Sequence, residues 1–204
     1  ETARVAGILK DGELVDSAAE GQKVQVVLDK TPFYPEGGGQ VTDVGVISRD
    51  GTSMRVENVA RIGSLIVHNG TVTSGALTTG DQVEAAVQRD RRISTMRNHT
   101  ATHLLHKALR MTLGDHVVQS GSMVEPSRFR FDFTHTSAVT PEELSAIERI
   151  VNDEVLADDE VTTSEKTLEQ AKEDGAMALF SEKYSGNVRV VQVNDFSMEL
   201  CGGT

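Results

Sequence analysis

A change of hydrophobic period near residue 88 constrains this chain more than any other feature. Before it, short β-like runs alternate with turn dipeptides: Val5 to Leu9 then Asp11-Gly12, Lys23 to Leu28, Gly45 to Ser48 then Asp50-Gly51, Leu65 to Val67 then Asn69-Gly70, and Gln82 to Val87. Asp-Gly and Asn-Gly supply the positive φ angles of two-residue hairpin loops, so this half reads as a small barrel or sandwich. After it, Ile93, Met96, Leu104, Leu105, Ala108 and Leu109 recur at helical spacing until Gly114, which predicts a long helix over about 90–113.

Two strand-like runs follow, Val117 to Val124 and Phe129 to Phe133. Thr140-Pro141-Glu142-Glu143 then carries an N-cap, a proline at the first helical position and the glutamate of a capping box, opening a helix to about Ala157. Val161 to Ser164 reads as a strand, Leu168 to Asp174 as a helix and Val188 to Val193 as a strand. The expected fold class is α+β: a small β-barrel with a Gly-rich loop over 1–88, and over 89–204 an α+β domain whose long His-bearing helix packs on an antiparallel sheet.

Several function classes are set aside by composition. The formal net charge of -11 argues against broad, non-specific binding to phosphate backbones. A nucleic-acid partner needs a local basic patch, and Arg89, Arg91, Arg92, Arg97, Lys107 and Arg110 are the candidate; the alternative is a solvated helix face. The single cysteine, Cys201, excludes an internal disulfide and fits a reducing cytoplasm. No apolar run approaches the ~20 residues that cross a bilayer, so a soluble cytoplasmic protein without a membrane partner is expected. A chain that opens at Glu1 and closes at Thr204, just after Cys201-Gly202-Gly203, is expected to be a piece of something larger.

The sharpest local motif is His99-Thr100-Ala101-Thr102-His103, two imidazoles one helical turn apart on one face. This is metal-ligand spacing, as in the zinc-protease helix. That protease helix needs a glutamate directly after its first histidine; Thr100 stands here, which disfavours a metalloprotease. Alone, the pair is equally well an ordinary helix-surface pair, and His106 competes as a partner. Cys201 adds a natural third ligand if the fold returns it to the helix. A second motif, Thr31-Pro32-Phe33-Tyr34-Pro35-Glu36-Gly37-Gly38-Gly39-Gln40, runs a stiff proline-bounded segment into three glycines, which permit positive φ and close approach to a ligand. A plain hairpin connection is the bland alternative.

Taken in order, Thr31 to Gln40, Arg97 to His106, Gln119-Ser120-Gly121-Ser122, Arg130 to His135, Glu182-Lys183-Tyr184 and Glu199 to Thr204 resemble successive signatures of the editing region of bacterial alanyl-tRNA synthetases. They cover nearly the whole chain. Two positions depart from the commoner glycine, Thr42 and Ser181.

The resemblance implies a zinc-dependent deacylase that hydrolyses mischarged Ser-tRNA(Ala) and Gly-tRNA(Ala), with the acceptor end of tRNA(Ala) and the rest of the synthetase in cis as partners. It implies Zn²⁺ held by His99, His103 and Cys201, with a further histidine expected directly after Thr204, so that the site is expected to be incomplete in this chain. It implies Thr31 and Gln119 as catalytic residues: Thr31 to hydrogen-bond a serine hydroxyl, Gln119 to orient substrate or water. Gly37, Gly38, Gly39 and Gln40 are implied in substrate binding. Whether zinc activates water or positions the substrate stays open. A free-standing trans-editing protein of the same family and a non-catalytic, zinc-stabilised RNA-binding module remain alternatives. The editing domain of threonyl-tRNA synthetases shares a His-x-x-x-His helix and should lack Gly-Gly-Gly-Gln. His106 and His116 are expected as helix-surface or supporting residues and His135 as structural.

Overall fold

The computed structural model describes residues 1–177 and 186–204; the Glu182-Lys183-Tyr184 motif and Ser181 lie outside the described residues. The fold is mixed α+β. In chain order the elements are β1 (Thr2–Lys10), β2 (Glu13–Val15), β3 (Ser17–Ala19), β4 (Lys23–Leu28), β5 (Gly45–Arg49), β6 (Thr52–Ile62), β7 (Leu65–Ser74), β8 (Ala76–Thr78), β9 (Gln82–Val87), α1 (Arg89–Leu113), β10 (Gln119–Val124), β11 (Phe129–Phe133), α2 (Pro141–Ala157), β12 (Val161–Thr167), α3 (Leu168–Glu173), β13 (Asn187–Val193) and β14 (Ser197–Leu200). The chain divides into two compact units, Glu1–Thr95 with Thr204, and Met96–Gly203.

The first unit is a closed antiparallel barrel. Its strands run β1-β4-β7-β6-β5-β9, and β9 pairs back onto β1, with β2 attached to β1 outside the ring. Closure leaves no long free edge. Alternate residues of each strand fill the interior, among them Ile8, Val26, Ile47, Met54, Val56, Val59 and Val72. Asp11-Gly12 and Asp50-Gly51 form the expected two-residue loops, with Lys10 facing Glu13 and Arg49 facing Thr52.

The Asn69-Gly70 turn expected from the sequence is not there. Both residues lie inside β7, where Asn69 faces Gln25 and Gly70 faces Val24 on β4. The β6–β7 hairpin closes instead at Gly63-Ser64, with Gly63 at φ 60. Gly70 answers a packing need: a Cβ there would stand 1.9 Å from the carbonyl oxygen of Arg55, beside the register shift between Val56 and Asn58 on β6. A glycine within a strand marks such a bulge as readily as it marks a turn.

In the second unit the part of α1 from Met96 onward packs on α2 and on the β10–β11 hairpin. Ala108, Leu109, Val117 and Ile147 are the buried centre, flanked by Phe131 and Phe133. The capping box of α2 is present: Thr140 Oγ1 accepts from Glu143 N, and Glu143 Oε2 accepts from Thr140 N at 2.8 Å. Arg130 and Asp132 pair across 3.1 Å on the sheet surface. A second sheet, β12-β13-β14, is antiparallel throughout and buries Val188, Val190 and Leu200 against Ala171 of α3. No helix among the described residues is long and apolar enough to cross a membrane.

Candidate metal centre

Helix α1 stacks His99 and His103 with ring centroids 5.2 Å apart and planes at 16°, the outcome of four-residue spacing on one face. Both are buried. Strand β14 ends at Leu200 and hands Cys201 to the same place, its Sγ 3.2 Å from His99 Nε2. The ligand atoms of His99, His103 and Cys201 all lie within 4.8 Å of one another. Arg189 of β13 fixes the segment that carries the cysteine: its Nη1 donates to the carbonyls of Cys201 (2.9 Å) and Gly203 (2.8 Å), while its own carbonyl accepts from Cys201 N.

Glu199, 3% exposed, is the residue that sequence reasoning missed. Its Oε2 accepts from His103 Nδ1 at 2.5 Å and its Oε1 from His106 Nδ1 at 2.8 Å. A carboxylate that accepts a hydrogen bond from Nδ1–H commits His103 Nε2 to the shared space facing Cys201, the arrangement that orients metal-binding histidines. The one available signal was position: in an extended strand residues two apart share a face, and Glu199 stands two before Cys201. Of the two places expected for His106, helix surface or supporting residue, it takes the second: it is fully buried, bonded to Glu199 and tilted against Phe131, and its Nε2 has no hydrogen-bond partner among the described residues.

The electrostatics follow from this geometry. Burial pushes the Cys201 thiol up, but hydrogen bonds with His103 and His99 outweigh it and bring it down to about 5, so the sulfur is a thiolate at neutral pH. Burial pulls His103 down, and its bonds to Cys201 and Glu199 reverse that, raising it to about 10. Burial raises the Glu199 carboxyl, yet the bonds from His103 and His106 leave it below the ordinary carboxylate range. The cluster is thus a thiolate and a carboxylate around an imidazolium. A divalent cation held here would take the place of the Nε2 proton of that imidazolium, its added charge met by the thiolate and the carboxylate. Two nitrogens and one thiolate are donors of the type that zinc takes, and His99, His103 and Cys201 would hold it.

The other predicted residues fall as follows. In the first unit, Thr31 Oγ1 lies 2.7 Å from His68 Nε2 and accepts from Phe33 N at 3.1 Å. The glycine run is an ordered turn: Gly37 and Gln40 exchange both backbone bonds, and Gly38 and Gly39 have φ of 59 and 84, the two positive values of a type I′ loop. Tyr34 Oη braces it by donating to Gly37 O, and Gln40, 1% exposed, accepts through Oε1 from N and Oγ1 of Thr204, at 3.1 Å each. Thr42 Oγ1 accepts from Val59 N at 2.8 Å. In the second unit, Gln119 opens β10 opposite Phe133, half-buried, beside a register shift.

The basic cluster is partly spent on structure. Arg92 grips the Asp43 carboxylate through Nε (3.0 and 3.1 Å) and Nη2, and donates to Pro32 O. Arg110 bonds the Asp115 side chain and the carbonyls of Asp115 and Val117, closing the end of α1. His116 and His135 bond each other across 2.9 Å at the surface.

Residues 1–91 match the family described as tRNA synthetases class II (A). The whole chain is 49% identical to the alanine–tRNA ligase of Acetivibrio thermocellus, over 204 residues. It is 51% identical to that of Clostridioides difficile over 98% of its length, and 51% identical to that of Desulforamulus reducens over 99%. In each case it spans only 23% of the relative's length. With identity near one half over 98–100% of its length, the chain belongs to the alanine–tRNA ligase family.

Proposed function

We propose that this chain is the editing centre of an alanine–tRNA ligase, a deacylase that binds Zn²⁺ through His99, His103 and Cys201. Its reaction is hydrolysis of the ester joining serine or glycine to the 3′ end of tRNA(Ala). The observation that carries the reading is the donor set itself, two buried imidazoles and a half-buried thiolate within 4.8 Å, with His103 aimed by Glu199.

The chemical need is clear from the substrates. Glycine is smaller than alanine and serine adds one hydroxyl, so a synthetic pocket rejects them poorly and a second, hydrolytic site is the physical remedy. Bound zinc supplies a Lewis acid that polarises the ester carbonyl, activates water or holds the aminoacyl end in register.

The protein's own groups do the rest. Glu199 holds the His103 tautomer, and Arg189 holds the backbone of Cys201 and Gly203. Thr31 is assigned the serine hydroxyl. Gln119, half-buried at a bulged strand end, is assigned the orientation of substrate or water. In the Gly37–Gln40 turn, a Cβ at Gly38 would meet nothing within 4 Å, which suits backbone that a nucleotide or aminoacyl group approaches. The partners this reading requires are the acceptor end of tRNA(Ala) and the remainder of the ligase, in the cytoplasm where that tRNA is charged.

Deacylation tests it. The zinc-loaded ligase that contains this chain is expected to hydrolyse Ser-tRNA(Ala) faster than Ala-tRNA(Ala), with the difference lost in Cys201→Ala. Zinc binding without hydrolysis would instead favour a closed structural metal supporting an RNA-binding module.

A further inference from the structure

One buried titratable side chain is not used in that scheme. His68 of β7 is fully buried, between β4 and β6, and both of its ring nitrogens are engaged. Nδ1 lies 2.9 Å from the carbonyl oxygen of Val26 and Nε2 lies 2.7 Å from Thr31 Oγ1. A carbonyl oxygen only accepts, so Nδ1 carries the ring proton. Burial holds the His68 pKa below its ordinary 6.5, so the ring is neutral at pH 7 and Nε2 is a bare acceptor. The Phe33 ring stands edge-on to the imidazole at 5.3 Å and 79°, which restricts its rotation.

These constraints decide the direction of the Thr31 hydroxyl. It donates its only proton to His68 Nε2, and its oxygen already accepts from Phe33 N at 3.1 Å. What Thr31 has left is one lone pair, which takes a donor and repels an acceptor.

We propose that His68 is a positioning residue that fixes Thr31 as an acceptor toward the aminoacyl group, so that the site favours a side chain bearing a hydrogen-bond donor, the hydroxyl of serine. The inference rests on the reading of Thr31 as the serine contact and adds to it a polarity and the residue that sets it. Alanine offers only a methyl group and leaves the lone pair desolvated and unmet, which is the strong form of rejection. Without His68 the hydroxyl rotates freely and presents proton or lone pair indifferently, so discrimination by the donor weakens.

The test uses the full-length ligase that contains this chain, comparing wild type, His68→Leu, His68→Gln and Thr31→Val on Ser-tRNA(Ala) and Gly-tRNA(Ala). The Ser:Gly ratio of kcat/KM is expected to fall about tenfold in His68→Leu, the worth of one neutral hydrogen bond, through KM for the serine substrate. Glutamine keeps an acceptor for the Thr31 hydroxyl, so His68→Gln is expected to recover most of the ratio. His68→Leu combined with Thr31→Val should add little to Thr31→Val alone. Equal loss on both substrates, or His68→Gln no better than His68→Leu, overturns the proposal and leaves His68 a packing residue.

A separate readout does not depend on hydrolysis. In ligase labelled with ¹⁵N-histidine, the resonance lost in His68→Gln is expected to show a protonated Nδ1 and a bare Nε2 at pH 7. The opposite tautomer, or a charged ring, overturns the polarity even if editing is intact. Absence of Ser-tRNA(Ala) hydrolysis by the wild type overturns the function on which the inference rests, whatever the tautomer.

Discussion

Replacing Glu199 with glutamine keeps the shape of the side chain and changes what it can accept. In the native cluster both Oε atoms take protons, from His103 Nδ1 at 2.5 Å and from His106 Nδ1 at 2.8 Å. Glutamine offers one oxygen and one amide N–H₂, so one histidine must face a donor with a donor. If that histidine is His103, a bare Nδ1 faces the amide and the one ring proton stays on Nε2, so a metal taken by Nε2 would force a proton back onto Nδ1 against a donor. If it is His106, the proton moves to a buried Nε2 that has no partner among the described residues, at a cost of about 1–3 kcal/mol. Loss of an orienting partner of this kind weakens metal binding about 10–100-fold, or about 1.4–2.7 kcal/mol at 1.36 kcal/mol per decade. Competition titration of Zn²⁺ against a chromophoric chelator at pH 7.5 measures this directly, with circular dichroism of the metal-free protein as the check on folding. A zinc affinity for Glu199→Gln within twofold of wild type, in a folded protein, would refute the argument that Glu199 sets the His103 tautomer.

Two further outcomes test the fold around the site. Gly70→Ala places a methyl group 1.9 Å from Arg55 O, backbone that cannot swing aside, and is expected to destabilise the barrel by about 1–3 kcal/mol in urea denaturation; an unchanged midpoint would contradict the bulge assignment. His68 has a folded pKa below its unfolded 6.5, so the unfolded chain binds the proton more readily. The stability this neutral ring contributes is therefore complete above pH 6.5 and is lost as pH falls from there through the folded value, at no more than about 1.4 kcal/mol per pH unit. The stability of wild type relative to His68→Gln should decline over that window, and a difference that stays flat down to pH 4.5 would contradict it.

The parts of the fold that could be read from the sequence are those whose pattern is local. Strands β4 and β9 are uninterrupted alternations, α1 repeats its apolar residues every three or four positions, and α2 announces itself through Thr140, Pro141 and Glu143. Strand β6 escaped because its alternation is broken: Thr52, Met54 and Val56 point inward, then the register shifts before Asn58 and the inward position resumes at Val59. A bulge costs a strand its period, and period is what the sequence displays. Strand β14 escaped for a different reason. Its four residues include an inward glutamate, which pattern reading takes for a surface position and which only His103 and His106, more than ninety residues away, make tolerable.

The candidate site divides along the same line. The histidine pair was legible because helical spacing alone puts His99 and His103 on one face. Its union with Cys201 rests on β13 and β14 returning the chain, and the supporting groups Glu199, Arg189 and His68 are defined wholly by partners distant in sequence. Adjacency in the arginine cluster left a phosphate-binding patch and a solvated helix face equally open to view, and could not show that Arg92 and Arg110 pair with Asp43 and Asp115.

The central claim is that the His99, His103 and Cys201 cluster carries out selective ester hydrolysis. Steady-state deacylation by the zinc-loaded ligase tests it most directly, with Ser-tRNA(Ala), Gly-tRNA(Ala) and Ala-tRNA(Ala) as parallel substrates. The account predicts release of serine and glycine well above release of alanine, abolished by chelation and restored by added Zn²⁺. Equal rates for all three esters, or rates indifferent to the metal, would contradict it.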